Sequence, residues 1–442
     1  MNQRIRQQLA ILCMGVLFLC LILRLEPGMG RGQQTEQSEK QKMETETEEQ
    51  ETQGESASIT ETENPNIRVL ICSDNYARDY HDRVVLQCSG NYSVSYGDVV
   101  EEHGPEELVT IERGDAWLES GSVTLKPLDA GDSFTMPELL RAYEDPVYAG
   151  EFQVEERQEG LLVVNEVPLE TYLCSVVPSE MPSSYPMEAL KAQAICARTY
   201  ARKQMEGSRG DDLGVDVDDS VSYQVYNNIP QNERTTQAVR ETAGKVMKEN
   251  GTLIDAWYYS TSCGLDLSED FSQEAVFCAS MGTVDSKAYE KEEPWYRWKA
   301  SYSLEELTRL VNNQEANFGP VTGMYVKDRE KNGAIHTLVI QGGNGDLEIE
   351  GEYAVRMLLQ TDQAGVTLQD GSQAPNLGML PSAFFYLETL NEEGNLTGYQ
   401  LIGGGYGHGN GMSQNGAKHM AESGKTCQEI LKYYYGEEVS TD

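Results

Sequence analysis

Apolar positions follow different rhythms along the chain, and each rhythm predicts a different element. An unbroken apolar run covers Leu9–Leu23 and is closed by Arg24 and Leu25. With Arg24 snorkelling to the interface the run reaches about 17 residues, the short end of a membrane-spanning helix. The continuation Leu25-Glu26-Pro27-Gly28 lacks the small-residue pattern of a cleavage site, so the expectation is an uncleaved anchor. Arg4 and Arg6 ahead of the run place the N-terminus in the cytoplasm and the remainder outside the cell membrane, as a single-pass protein. From Arg31 to Pro65 apolar positions nearly vanish, and ten Glu stand against Arg31, Lys40 and Lys42. Such a segment has little to bury and repels itself, which predicts an extended, disordered tether.

Beyond it the period shortens to that of strands. Arg68–Cys72, Arg83–Cys88, Leu108–Ile111, Ser122–Leu125 and Gly160–Val164 are β-branched runs separated by Gly, Asn and Asp. Pro168 then opens a helix whose Leu169, Tyr172, Leu173 and Val176 share one face, and a second helix follows Pro186 with Leu190, Ala194, Ala197 and Ala201 in a stripe. Strand patterns return at Thr252–Tyr259 and Thr337–Ile340. Ser303–Glu306 and Thr426–Glu429 are capping boxes that introduce two later helices. Strands followed by helices without regular alternation predict an α+β fold. The expected organisation is an anchor with its cytoplasmic tip at 1–30, a linker at 31–65, a β-rich part at 66–165, and mixed strands and helices around a central groove at 166–442.

Composition narrows the function. The 442 residues carry a net charge of −38, most of it beyond the linker, which argues against nucleic acid and anionic surfaces as partners. Nine Cys are too sparse for a disulfide scaffold. Cys72 and Cys88 end two strands that could form a hairpin, so a bridge between them is an open expectation.

Three segments hold candidate chemistry. In Val176–Pro186 three prolines within nine positions stiffen a connection between helices, and Glu180 stands among Met181, Pro182 and Tyr185. Burial in apolar company raises a carboxyl pKa, as a general acid near neutral pH requires. The alternative is a glutamate that caps the next helix. Seven glycines in Gly403–Gly416 let backbone approach a ligand or another segment closely, with His408, Ser413 and Gln414 held among them. Neither the dinucleotide fingerprint nor the phosphate loop fits its context. Tyr258–Gly264 places small hydroxyl residues after a strand, which alone is ordinary turn material.

Taken together and in this order, these segments resemble the SpoIID/LytB family of bacterial cell-wall proteins. The resemblance lies in Leu169–Pro182, Glu188–Ala201, Tyr223–Tyr226, Tyr259–Ser262 and Gly405–Ala417, and extends in weaker form from about Ile67 to Tyr435. It implies a peptidoglycan lytic transglycosylase, used in sporulation, that acts on glycan strands stripped of their peptides by a partner amidase and works beside other membrane proteins. Glu180 falls on the family's catalytic acid. Gln224, Tyr226, Ser260, Ser262, His408 and Gln414 are expected in the sugar-binding groove. Lys191, Gln193, Arg198 and Tyr200 either hold the catalytic loop or touch substrate. Some members bind zinc through a His where this chain has Tyr259. With Cys263 and Cys278 as the remaining good ligands, no metal and no cofactor are expected. The runner-up is a LytB-type wall-binding enhancer of an amidase that does not itself cut glycan. Recognition of a mildly charged glycan by an acidic protein should rest on hydrogen bonds and on stacking from the 24 Tyr and four Trp, and depend little on salt.

Overall fold

Gly160–Pro168 is apolar along nearly its whole length because the strand it forms is covered on both faces. It pairs antiparallel with Glu151–Arg157 on one side, Val163 opposite Val154, and with Asn66–Leu70 on the other, Asn165 opposite Val69. These are the central strands of an eight-stranded sheet in the computed structural model. The model describes residues 64–141, 146–207, 213–266, 268–283, 288–315, 317–361 and 365–442. The expected anchor at 1–30 and all but two residues of the expected linker lie outside the described residues. Among the described residues no helix is long and apolar enough to cross a membrane.

A four-stranded sheet, Leu108–Glu112, Arg83–Cys88, Phe134–Thr135 and Val147–Tyr148 in that order, packs with the larger sheet around Val84, Leu86, Phe134, Tyr148 and Phe152. The same core receives the first helix, α1 (Leu169–Glu180), through Leu169, Tyr172, Leu173 and Val176, the face the spacing predicts. The second helix, α2 (Met187–Glu206), buries Ala194, Ala197 and Ala201 there. After α3 (Glu233–Glu241) and α4 (Glu274–Met281) the chain builds a second core. It lies between a four-stranded sheet centred on Trp298–Ser303 and Asn395–Gly403 and a three-stranded meander, Val321–Arg329, Ile335–Gly342 and Gly345–Glu350. Helices α5 (Leu304–Gln314) and α6 (Glu352–Leu358) pack on it. The last helices, α7 (Gln414–Glu422) and α8 (Cys427–Tyr435), return to α2 and bury Ile195, Met412, Met420 and Ile430 with it. The architecture is α+β, with eight helices among the described residues. Both capping boxes form: Ser303 caps α5 and Thr426 caps α8.

Three expectations change. Glu180 ends α1 and does not stand mid-connection, because the helix continues through Pro178. That proline is buried, the Ser179 hydroxyl donates to the Ser175 carbonyl, and the Met181 N–H closes the last turn on Val177 O, so packing and local bonds outweigh the one N–H that proline lacks. The run Thr252–Tyr259 forms two short strands, Thr252–Leu253 and Tyr258–Tyr259, because its halves pair with different partners, Met247–Glu249 and Met412–Ser413. Cys72 and Cys88 form no hairpin and no disulfide with each other: Asn66–Leu70 and Arg83–Cys88 lie in different sheets. Cys263 and Cys278 are free thiols.

Candidate active site

The glycine-dense segment lies against the strand around Tyr258. Thr261 and Tyr406 exchange backbone hydrogen bonds, the Met412 N–H donates to Trp257 O at 3.0 Å, and Tyr258–Tyr259 runs parallel to Met412–Ser413. Gly411 shows why glycine is needed. At φ +75° its absent Cβ would lie 1.9 Å from Trp257 O, a distance no side chain tolerates. Ser413 then caps α7, accepting from the Gly416 N–H at 3.1 Å and from the Ser262 N–H at 3.2 Å. Glycine content therefore serves close packing of two segments, and that packing builds one wall of a cavity.

The opposite wall is the C-terminus of α1. Glu180 faces a cavity of about 370 Å³ also lined by Tyr185, Tyr200, Trp257, Tyr258 and His408. Its Oε1 accepts from the Val225 N–H at 2.7 Å, and Tyr258 hydrogen-bonds its carboxyl. The carboxyl remains partly open on the cavity side, but the surrounding protein strips most of its water. Desolvation raises its pKa to about 7, against the opposing pull of the Val225 and Tyr258 donors. No other Asp or Glu lines this cavity among the described residues.

The loop carrying Val225 is fixed in turn. Ser179 Oγ accepts from the Asn228 and Ile229 N–H groups, each at 3.2 Å. Arg234 spans the α1–α2 connection, donating to Ser183 O and Tyr185 O. Gln414 donates to the Glu180 backbone carbonyl at 2.9 Å, joining α7 to the end of α1. Arg198, 1% exposed, clasps Glu170 through two bonds of 2.6 and 2.7 Å and donates to Val239 O and Lys245 O. It holds α1, α2 and α3 together, while Lys191 pairs with Glu188 and Glu241 on the outside. Gln193 is fully buried beside Gln414, whereas Tyr200 reaches the cavity.

Of the residues expected in the groove, Ser260, His408 and Gln414 line the cavity with Glu180. His408 accepts from the Asn410 N–H through Nδ1 at 3.1 Å, which makes Nε2 the donor to Tyr258 O at 3.0 Å. Burial lowers its pKa, so the ring is neutral and both nitrogens are engaged. Ser262 falls in a neighbouring cavity of about 420 Å³, beyond Tyr259 and Tyr406, where its Oγ accepts from the Gly264 N–H.

Gln224 and Tyr226 are corrections. Both are at most 1% exposed and stand behind the wall. Gln224 donates to Ala197 O and the Tyr258 hydroxyl, and the Tyr226 hydroxyl donates to Asn165 Oδ1 at 2.9 Å. Their polar groups are spent on the protein, so they support the site from within the core. Sequence reasoning did not place Tyr185, Trp257 and Tyr258 in the groove, although Tyr185 was named beside Glu180 and Tyr258 opens the hydroxyl-rich segment; the signal of Trp257 and Tyr258 is an aromatic run at the end of a strand. No group of three or more His, Cys, Asp or Glu gathers to hold a metal among the described residues. Burial pushes the Cys263 thiol up to about 11.

Known proteins are similar to this chain over the same region. A family model described as stage II sporulation protein matches residues 157–248, which contain α1, Glu180 and α2. A model of a domain of unknown function matches residues 252–411. Stage II sporulation protein D of Bacillus amyloliquefaciens is 30% identical over 288 residues, 62% of this chain and 74% of that protein. Its counterpart in Bacillus subtilis is 29% identical over 294 residues, 63% and 76% of the two chains. The amidase enhancer of Bacillus subtilis is 29% identical over 289 residues, 60% of this chain but 39% of its own length, so the chain spans well under half of that relative. Since a stage II sporulation protein D at 30% identity is matched over 74% of its length and the family model covers the helix that ends at Glu180, the chain belongs to the stage II sporulation protein D family.

Proposed function

We propose that this protein is a peptidoglycan lytic transglycosylase and that Glu180 is its general acid and base. One observation carries the reading: a single carboxyl, raised to about 7, faces a cavity whose lining has no second carboxylate among the described residues. Most glycosidases that use water or a covalent intermediate employ two carboxyl groups. A transglycosylase needs one. Protonated Glu180 gives its proton to the glycosidic oxygen between N-acetylmuramic acid and N-acetylglucosamine as the bond to the muramic C1 breaks. The muramic 6-hydroxyl oxygen then bonds to C1, and its proton returns to Glu180, leaving an anhydro end. The nucleophile belongs to the same sugar, so its effective concentration is high without a second protein base. Trp257, 46% exposed at the cavity, offers a face for a sugar ring. The apolar run Leu9–Leu23 supports membrane anchoring with the folded part outside the cell, where peptidoglycan is.

The similarity to an amidase enhancer favours a second reading, in which the cavity binds wall glycan and recruits an amidase without cutting. Incubating the protein with peptide-free glycan strands and searching the products by mass spectrometry for anhydro-muramic ends separates the two. Such ends from the wild type and none from Glu180→Gln support the enzyme. Retained binding with no such ends from either supports the enhancer.

A further inference from the structure

The cavity carries one cation that the reaction just described does not use. Arg356 of α6 is 5% exposed and, among the described residues, is the single Lys or Arg lining the cavity. Its Nε donates to Leu380 O at 3.0 Å and its Nη1 to Glu352 Oε2 at 3.1 Å. Among the described residues nothing accepts from Nη2. Tyr406 lines the same cavity, 5% exposed, with its ring stacked on Trp295 at a centroid distance of 4.6 Å. Its hydroxyl is buried and has no partner among the described residues. Arg356 lies close enough for its charge to act on both Tyr406 and His408, and His408 bonds the backbone of Tyr258, whose side chain bonds Glu180.

Two buried donors, one charged and one neutral, therefore have unspent hydrogens in the cavity that Glu180 lines. A buried hydroxyl without a partner is costly, and that cost is recovered when an acceptor arrives. A guanidinium held rigidly by two bonds is preorganised to receive a carboxylate with its remaining N–H groups. Glu352 balances part of the charge through Nη1 and leaves Nη2 for a ligand.

We propose that Arg356 and Tyr406 bind the free lactyl carboxylate of a muramic acid residue, so that the cavity selects sugars whose peptide has been removed. The proposal rests on the glycan-cleaving reading and adds the feature by which peptide-free strands are chosen. An amide-linked peptide at that carboxyl would remove its charge and one acceptor oxygen, and would add bulk against the Tyr406 ring.

The test uses peptide-free strands and the same strands with their lactyl carboxyls converted to methylamides. Wild-type protein should show a KM for the free-acid strands roughly 10-fold or more below that for the methylamides, the loss expected for one charge-assisted bond. Arg356→Gln and Tyr406→Phe should level the two substrates, and Arg356→Lys should restore part of the preference. Tyr406→Phe deletes a hydroxyl without a protein partner, so it should fold at least as well as wild type, and its loss of preference would not be a folding defect. The proposal is overturned if wild type cuts both strands equally or if Tyr406→Phe and Arg356→Gln keep the full preference. Should wild type release no anhydro ends from either strand, the enzymatic reading fails alone. Calorimetric binding of the two strand preparations then decides the carboxylate site, with equal affinities overturning it.

Discussion

Val225 N–H points at Glu180 Oε1 across 2.7 Å, and this bond opposes the burial that raises the carboxyl. The balance places Glu180 at about 7, where it can both give and take a proton near neutrality. Glu180→Gln keeps the size of the side chain and removes the proton. Release of anhydro ends should fall by a factor on the order of 10² to 10⁴, measured by product counting at pH 6. Binding of peptide-free strands should survive.

The same group links pH to stability. Its folded pKa, about 7, lies above the ordinary glutamate value of 4.5. The folded state therefore holds the proton more tightly, so the contribution is fully present below 4.5 and is lost as pH rises through about 7. Relative to wild type, Glu180→Gln should gain melting temperature between pH 5 and pH 8 and level off above that. A difference in melting temperature that does not change with pH would show that the carboxyl is not buried as described.

Tyr258 hydrogen-bonds the Glu180 carboxyl and thereby lowers its pKa. In Tyr258→Phe that opposing influence disappears. The basic limb of the pH–rate profile should move to higher pH, while kcat at its plateau falls by roughly 10-fold for the loss of one hydrogen bond to a charged group. Gln224 keeps Ala197 O as an acceptor, so the variant should fold. An unchanged basic limb would remove Tyr258 from the site.

What could be read from sequence follows from how local each cause is. The face of α1, the stripe of α2 and both capping boxes depend on residues three or four apart, and their spacing alone predicts them. Glu180 could be picked out because proline and apolar neighbours mark its burial, although the helix continuing through Pro178 could not be foreseen from a residue that disfavours helix. Cys72 and Cys88 suggested a hairpin because each ends a strand, but pairing is a long-range property: Val69 meets Asn165 and Val84 meets Ile111. Gln224 and Tyr226 sit in a recognisable motif, yet sequence does not say which polar groups a core has already satisfied. Arg356 left no sequence signal, since it reaches the cavity from a helix about 175 positions beyond Glu180.

Burial of the Arg198–Glu170 pair makes the frame of the site vulnerable to half-deletion. Arg198 supplies two bonds to Glu170 and further donors to Val239 O and Lys245 O from a position that is 1% exposed. Removing it leaves a mostly buried carboxylate and two carbonyls without these donors, whereas replacing both charges with apolar groups leaves no stranded charge. Arg198→Met should cost about 3–5 kcal/mol in chemical denaturation. The double variant Arg198→Met with Glu170→Leu should recover a substantial part of that loss. Because α1 carries Glu180 at its end, the single variant should also lose activity under conditions where it remains folded, and the double variant should regain it. Equal destabilisation by the single and double changes would mean that the pair contributes packing alone, and that α1 is positioned by its apolar face against the sheet.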